Sequence, residues 1–128
     1  MASFDTKHLP VQRDDVAPDG SDVRLLLGVK GGGMAHFELA PGRTSKAVAH
    51  RTVEEIWFFV GGRGEMWRRA ADGSETVDAV EAGVSLDIPL GTSFQFRALG
   101  DEPLRAVGVT MPPWPGDDEA EPVPGRWG

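Results

Sequence analysis

Residues 42–62 read GRTSKAVAHRTVEEIWFFVGG, and this stretch decides the fold. Gly42 and Gly61-Gly62 punctuate its two ends, where turns are expected. Between them lie two short runs rich in apolar and β-branched or aromatic residues, 47–52 and 56–60. Side chains alternate along a strand, so residues two apart share a face. Val48 and His50 therefore look the same way, and so do Glu55, Trp57 and Phe59. Each run thus carries one polar group, His50 or Glu55, on the same face as apolar residues.

The pattern continues on both sides. Strand-like runs are predicted at 22–29, 34–40, 64–69, 76–80, 85–88, 93–98 and 104–110, besides the two above. Turn chemistry separates nearly all of them: Gly31-Gly32-Gly33, Pro41-Gly42, Asp72-Gly73, Pro89-Leu90-Gly91 and Gly100-Asp101. Asp-Gly between two such runs is a strong hairpin signal. No window keeps a 3.6-residue periodicity with caps. Short, evenly spaced strands joined by turns indicate a sandwich or closed barrel.

The 128 residues suit one domain. Residues 1–21 form a polar N-terminal arm with at most one short strand, 22–110 the barrel, and 111–128 a Pro-rich, acidic C-terminal tail. Three prolines in Met-Pro-Pro-Trp-Pro-Gly rule out a central strand there. The tail is expected to be extended, packed outside the barrel, folded over its mouth as a lid, or strapped across a dimer partner. Trp114 and Trp127 would bury large areas on docking.

A net charge of −7 argues against a nucleic-acid footprint and against an electrostatic hold on anionic membranes. Without cysteine there are neither disulfides nor thiolate metal sites. The N-terminus lacks the apolar run of a secretory signal, and a cytoplasmic location is expected. The glycine clusters at 28–33 and 61–64 precede strands rather than helices, so they read as turns and not phosphate loops.

Residues 42–62 also resemble the first cupin motif, G-x5-H-x-H-x(3,4)-E-x6-G. Gly42, His50, Glu55 and Gly62 fall in place, and Val48 stands where the motif has its first histidine. Residues 83–98, GVSLDIPLGTSFQFRA, resemble the second motif, G-x5-P-x-G-x2-H-x3-N. Gly83, Pro89 and Gly91 match, with Phe94 at the histidine position and Ala98 at the asparagine position. The resemblance implies an all-β, single-domain cupin jelly-roll barrel, of the small single-domain type, that forms a homodimer. In metal-binding cupins the motif histidines and glutamate hold one ion inside the barrel. Here only His50 and Glu55 remain, and Val48 and Phe94 cannot donate, so the implied metal site is degenerate.

The implied cavity is lined by Val48, Trp57, Phe59, Phe94 and Phe96 around His50 and Glu55. That is the usual pattern of a ligand site, although the same rings could simply fill a small barrel. His36 shares a face with Glu38, while Phe37 and Leu39 share the other. If Phe37 and Leu39 face the core, His36 is solvent-exposed. If His36 points inward, then His36, His50 and Glu55 resemble the facial triad of non-haem iron sites and could hold Fe, Mn, Ni or Zn. Three functions follow. One is a barrel that binds a small molecule through His50 and Glu55 without metal. Another is an enzyme, either a metal-dependent oxygenase or isomerase, or a metal-free acid–base isomerase with His50 and Glu55 catalytic. The third is an interaction module with a filled barrel.

Overall fold

The computed structural model describes residues 3–128. Two antiparallel sheets face each other. The first has the order β1(Asp15–Val16), β2(Asp22–Val29), β3(Gly32–Leu39), β10(Leu104–Met111), β5(Glu54–Gly61) and β8(Ser85–Ile88). The second runs β11(Ala120–Pro122), β4(Val48–His50), β9(Ser93–Leu99), β6(Arg63–Arg69) and β7(Glu75–Glu81). The jelly-roll expectation is met, and the Asp72-Gly73 hairpin joins β6 to β7 in the register Arg69↔Glu75.

Strand alternation builds the core. On β5, Glu55, Trp57 and Phe59 are buried, while Glu54, Ile56, Phe58 and Val60 face out. Phe94, Phe96 and Ala98 of β9 come from the opposite sheet to meet them. Trp57 is the hub. It stacks on Phe37 at 4.9 Å between ring centroids and takes the edges of Phe96 at 5.2 Å and Phe94 at 6.0 Å. Each such aromatic pair adds about 0.5–1.5 kcal/mol beyond area burial. Gly108 on β10 makes the stack possible. A Cβ there would come within 2.8 Å of Phe37 and 3.0 Å of Trp57.

The chain ends differ from expectation. β4 is three residues long rather than the six of 47–52, because residues 51–53 form a turn held by the tail. Nor does the tail simply trail along the outside. After a 3₁₀ turn at Asp117–Glu119, residues 120–122 pair with β4 as an edge strand, Ala120 opposite His50. Pro122 is tolerated there because an edge strand has one side without ladder bonds. Further on, Gln95 and the Trp127 backbone exchange two hydrogen bonds, of 2.7 and 2.9 Å, and Arg97 lies 4.4 Å above the Trp127 ring. The N-terminal arm adds β1 to the first sheet and then turns at 17–21. Lys46 N–H donates to the Asp19 carbonyl at 2.8 Å, tying that turn to the segment that enters β4. No helix among the described residues is long and apolar enough to cross a membrane.

Candidate functional site

A cavity of about 240 Å³ lies between the sheets, next to the Trp57 hub. Val48 and His50 from β4, Glu55 and Trp57 from β5, and Phe94 from β9 line it, so the two motif segments meet there. Phe37 and Ala35 of β3 and Thr110 of β10 complete the barrel wall. The roof comes from outside the barrel: Asp15 to Asp19 of the arm on one side, and Trp114, Gly116 and Asp117 of the tail on the other. Phe59 and Phe96, expected in the lining, are instead packed in the solid core beneath it, 0% and 2% exposed.

His50 and Glu55 come together as expected. His50 Nδ1 lies 3.5 Å from Glu55 Oε2, too far for a hydrogen bond, and Nδ1 has no other partner. The imidazole is clamped between the Phe94 and Trp114 rings, both edge-to-face, at 5.3 and 5.1 Å. Trp57 Nε1 donates to Glu55 Oε2 at 3.3 Å.

Burial sets the charge of this pair. It pushes Glu55 up to about 8, with the Trp57 hydrogen bond opposing and the nearby Asp19 carboxyl adding to the rise. It pulls His50 down to about 4, against the attraction of Glu119. Desolvation penalises the charged form of either group. Near neutral pH the pair is therefore a protonated carboxyl beside a neutral imidazole, and their close approach is not an ion pair. Asp19 is also raised by burial, although Ser21 donates to its Oδ1 from both the backbone N–H, at 2.8 Å, and the hydroxyl, at 2.6 Å.

His36 does not join them, and the expectation of a solvent-exposed His36 is corrected as well. Phe37 and Leu39 do face inward, so His36 lies on the outer side of β3, between Arg24 of β2 and Val107 of β10. It is nevertheless only 3% exposed, and both ring nitrogens lack partners. Burial lowers its pKa, and the Arg105 and Arg24 charges lower it further. The three-residue ligand set His36, His50 and Glu55 is not assembled.

Nor do the other residues fit a metal ion. Val48 and Phe94 are the cross-strand pair at the two vacated motif positions, and neither can donate. Among the described residues no three or more His, Cys, Asp or Glu side chains gather as a ligand set. Protein metal sites normally need roughly three or four protein ligands. Protein incubated with Fe(II), Mn(II), Ni(II) or Zn(II) and desalted is expected to retain far less than one equivalent by elemental analysis. One metal per chain, lost in His50→Ala, would overturn this.

Several cavity residues were not singled out in the sequence as cavity-lining: Asp19, Phe37, Thr110 and Asp117. Phe37 carried a usable signal, since it sits at an inward position of β3. Asp19 did not, because nothing in a polar arm marks which acid turns in.

No family model matches the sequence, and no curated protein matches it. Solved structures do. The capsular polysaccharide assembling protein CapF from Staphylococcus aureus aligns with a TM-score of 0.74 at 18% identity, over 94% of this chain and 35% of CapF. Oxalate decarboxylase from Bacillus subtilis aligns at 0.73 and 18%, over 87% of this chain and 30% of the enzyme. A conserved protein with a double-stranded β-helix domain from Klebsiella pneumoniae aligns at 0.66 and 17%, over 82% of this chain and 85% of that one. This chain thus spans about a third of the two larger proteins. The fold is the double-stranded β-helix barrel of the cupins. At these identities the likeness extends to the fold alone.

Proposed function

We propose that this chain is a small-molecule-binding barrel of cupin fold that works without a resident metal. The ligand sits against Trp57, Phe94 and Trp114 and takes its polar contacts from His50 and Glu55. One observation carries this reading. His50, 9% exposed, lines this partly open cavity with its Nδ1 unpartnered. Buried polar atoms without partners are costly, by about 1–3 kcal/mol each, and a bound molecule would supply the missing bond. The cavity is smaller than the roughly 300–1,000 Å³ of drug-sized sites, so the ligand is compact. A filled barrel, as the interaction-module reading requires, does not agree with about 240 Å³ of open space beside Trp57.

A second reading has its own support. Burial moves the pKa values of Glu55 and His50 in opposite directions, leaving a proton donor and a proton acceptor 3.5 Å apart at neutral pH. Such pairs suit metal-free acid–base chemistry, for instance an isomerisation that removes a proton at one atom and returns it at another. Among the fold neighbours, oxalate decarboxylase is an enzyme by name.

The test is a panel of small alcohols, amines, sugars and carboxylic acids, read by quenching of tryptophan fluorescence. A binder of the wild-type protein is expected to lose at least tenfold in affinity in His50→Ala, with the fold retained by circular dichroism. Unchanged affinity in His50→Ala, or no binder at all, would sink the binding reading. For the second reading the bound compound is incubated in D₂O. Deuterium entering carbon positions with wild type but not with Glu55→Gln would make the protein an enzyme, and absence of exchange or turnover would leave it a binder.

A further inference from the structure

We propose that the cavity selects an organic cation, a compact alkylammonium group held among the rings of Trp57, Phe94 and Trp114 beside the carboxyls of Glu55 and Asp19. This rests on the reading of the cavity as a ligand site and names the ligand's chemical class. The charge of the lining is lopsided. Four acidic side chains, Asp15, Asp19, Glu55 and Asp117, border the space, and among the described residues neither lysine nor arginine does. The nearby arginines are engaged elsewhere. Arg51 Nε donates to the Asp118 carbonyl, and Arg24 lies on the outer side of the first sheet, 3.7 Å from Glu38. Arg68 pairs with Asp78 and Asp87.

An anion entering this space would be desolvated with no opposite charge to meet it, which is among the most expensive things a protein interior can do. An uncharged ligand would leave the buried carboxyls of Glu55 and Asp19 held toward their protonated forms by burial. A cation instead favours the ionised forms of these carboxyls, drawing off their protons as it binds, and gains further from the aromatic rings around it. The aromatic lining and the acids thus point to the same class of ligand. The acids alone would mark only a solvated cluster. Here they share the cavity with four aromatic side chains, Phe37, Trp57, Phe94 and Trp114, and with the unpartnered, nine-tenths buried His50 Nδ1, which can accept from a hydroxyl on the same ligand. Asp19 is not a loose surface acid either. Ser21 fixes it through two hydrogen bonds, and the Asp19 carbonyl is tied to Lys46 N–H, so the carboxyl is part of a built wall.

The experiment uses three molecules of one shape: choline, the alcohol in which carbon replaces its nitrogen, and the tert-butylacetate anion. Binding to the full chain is followed by tryptophan fluorescence and calorimetry at fixed pH and salt. Choline is expected to bind at least tenfold more tightly than the alcohol, and the anion most weakly. Glu55→Gln and Asp19→Asn should each shrink the ratio of choline to alcohol affinity several-fold, with circular dichroism unchanged from wild type. That second readout separates lost counter-charge from lost fold. Equal affinity for choline and the alcohol, or tighter binding of the anion, would overturn the cation proposal and leave the cavity a ligand site. If none of the three binds, the cation proposal also falls. The broader panel then decides whether the site reading falls with it.

Discussion

Glu55→Gln is expected to stabilise the protein at alkaline pH, by up to about 5 kcal/mol near pH 9, from the size of the pKa shift. The carboxyl goes from 4.5 in the unfolded chain to about 8 in the fold. A raised pKa means that the protonated form supports the fold. That support is complete below about pH 4.5 and is lost as pH rises through about 8. His50 acts with the opposite sign. Its pKa falls from 6.5 to about 4, so its contribution is complete above about pH 6.5 and is lost as pH falls through about 4. The two slopes oppose each other between about pH 4.5 and 6.5, and above that range only the carboxyl acts. Gln removes the penalty because it keeps the shape and cannot ionise. Urea unfolding of wild type and variant near pH 5, 7 and 9 should therefore show a gap that opens with pH. Parallel curves would mean that Glu55 is not desolvated as described.

The second large effect is expected at the tail. Glu119→Ala should cost about 2–3 kcal/mol, since it strands the buried Val53 N–H at about 1–3 kcal/mol and removes two part-buried hydrogen bonds from Thr52. Glu119 is 4% exposed and caps the turn after β4, taking Thr52 N–H at 2.6 Å, Val53 N–H at 3.0 Å and the Thr52 hydroxyl. Burial alone would raise its pKa, but those hydrogen bonds, with the His50 interaction, outweigh burial and hold it below the ordinary carboxylate value. The loss is not only energetic. The capped turn follows His50 directly, and Trp114, which shields His50, precedes Glu119 by five residues. Tryptophan emission should therefore shift to the red in Glu119→Ala, and Glu119→Gln should recover part of both effects. An unfolding free energy within about 0.5 kcal/mol of wild type, the range of an ordinary surface change, would refute the latch.

The barrel was legible because its signal is local. Alternation in 54–61 assigned Glu55, Trp57 and Phe59 to one face, and the glycine and Asp-Gly turns marked most of the ends. The meeting of His50 with Glu55 and Phe94 was legible through motif spacing. What failed was anything decided between distant segments. The face of His36 followed from Phe37 and Leu39, but its burial depends on neighbouring strands that alternation does not describe. Phe59 and Phe96 point inward as read, yet inward divides into core and cavity, and the division depends on depth along the barrel. β11 was invisible because a three-residue edge strand ending in Pro122 has no periodicity to detect. Asp19 and Glu119 were missed for the same reason: each is an ordinary acid in a polar stretch until the chain folds back.

The roof over the cavity divides labour along the sequence. Strands supply the groups with chemistry, His50 and Glu55, whereas the segments that close over them, 15–19 and 114–117, lie outside the main barrel strands. In the proposed binding role, entry and exit of a ligand would need only the 114–117 segment to move, because Asp15–Val16 is laddered into the first sheet and the Asp19 carbonyl is tied to Lys46 N–H. Substitution in that segment would then alter what is admitted without touching the packing around Trp57. Evolution, or an engineer, is thus given a rigid vessel with an exchangeable stopper.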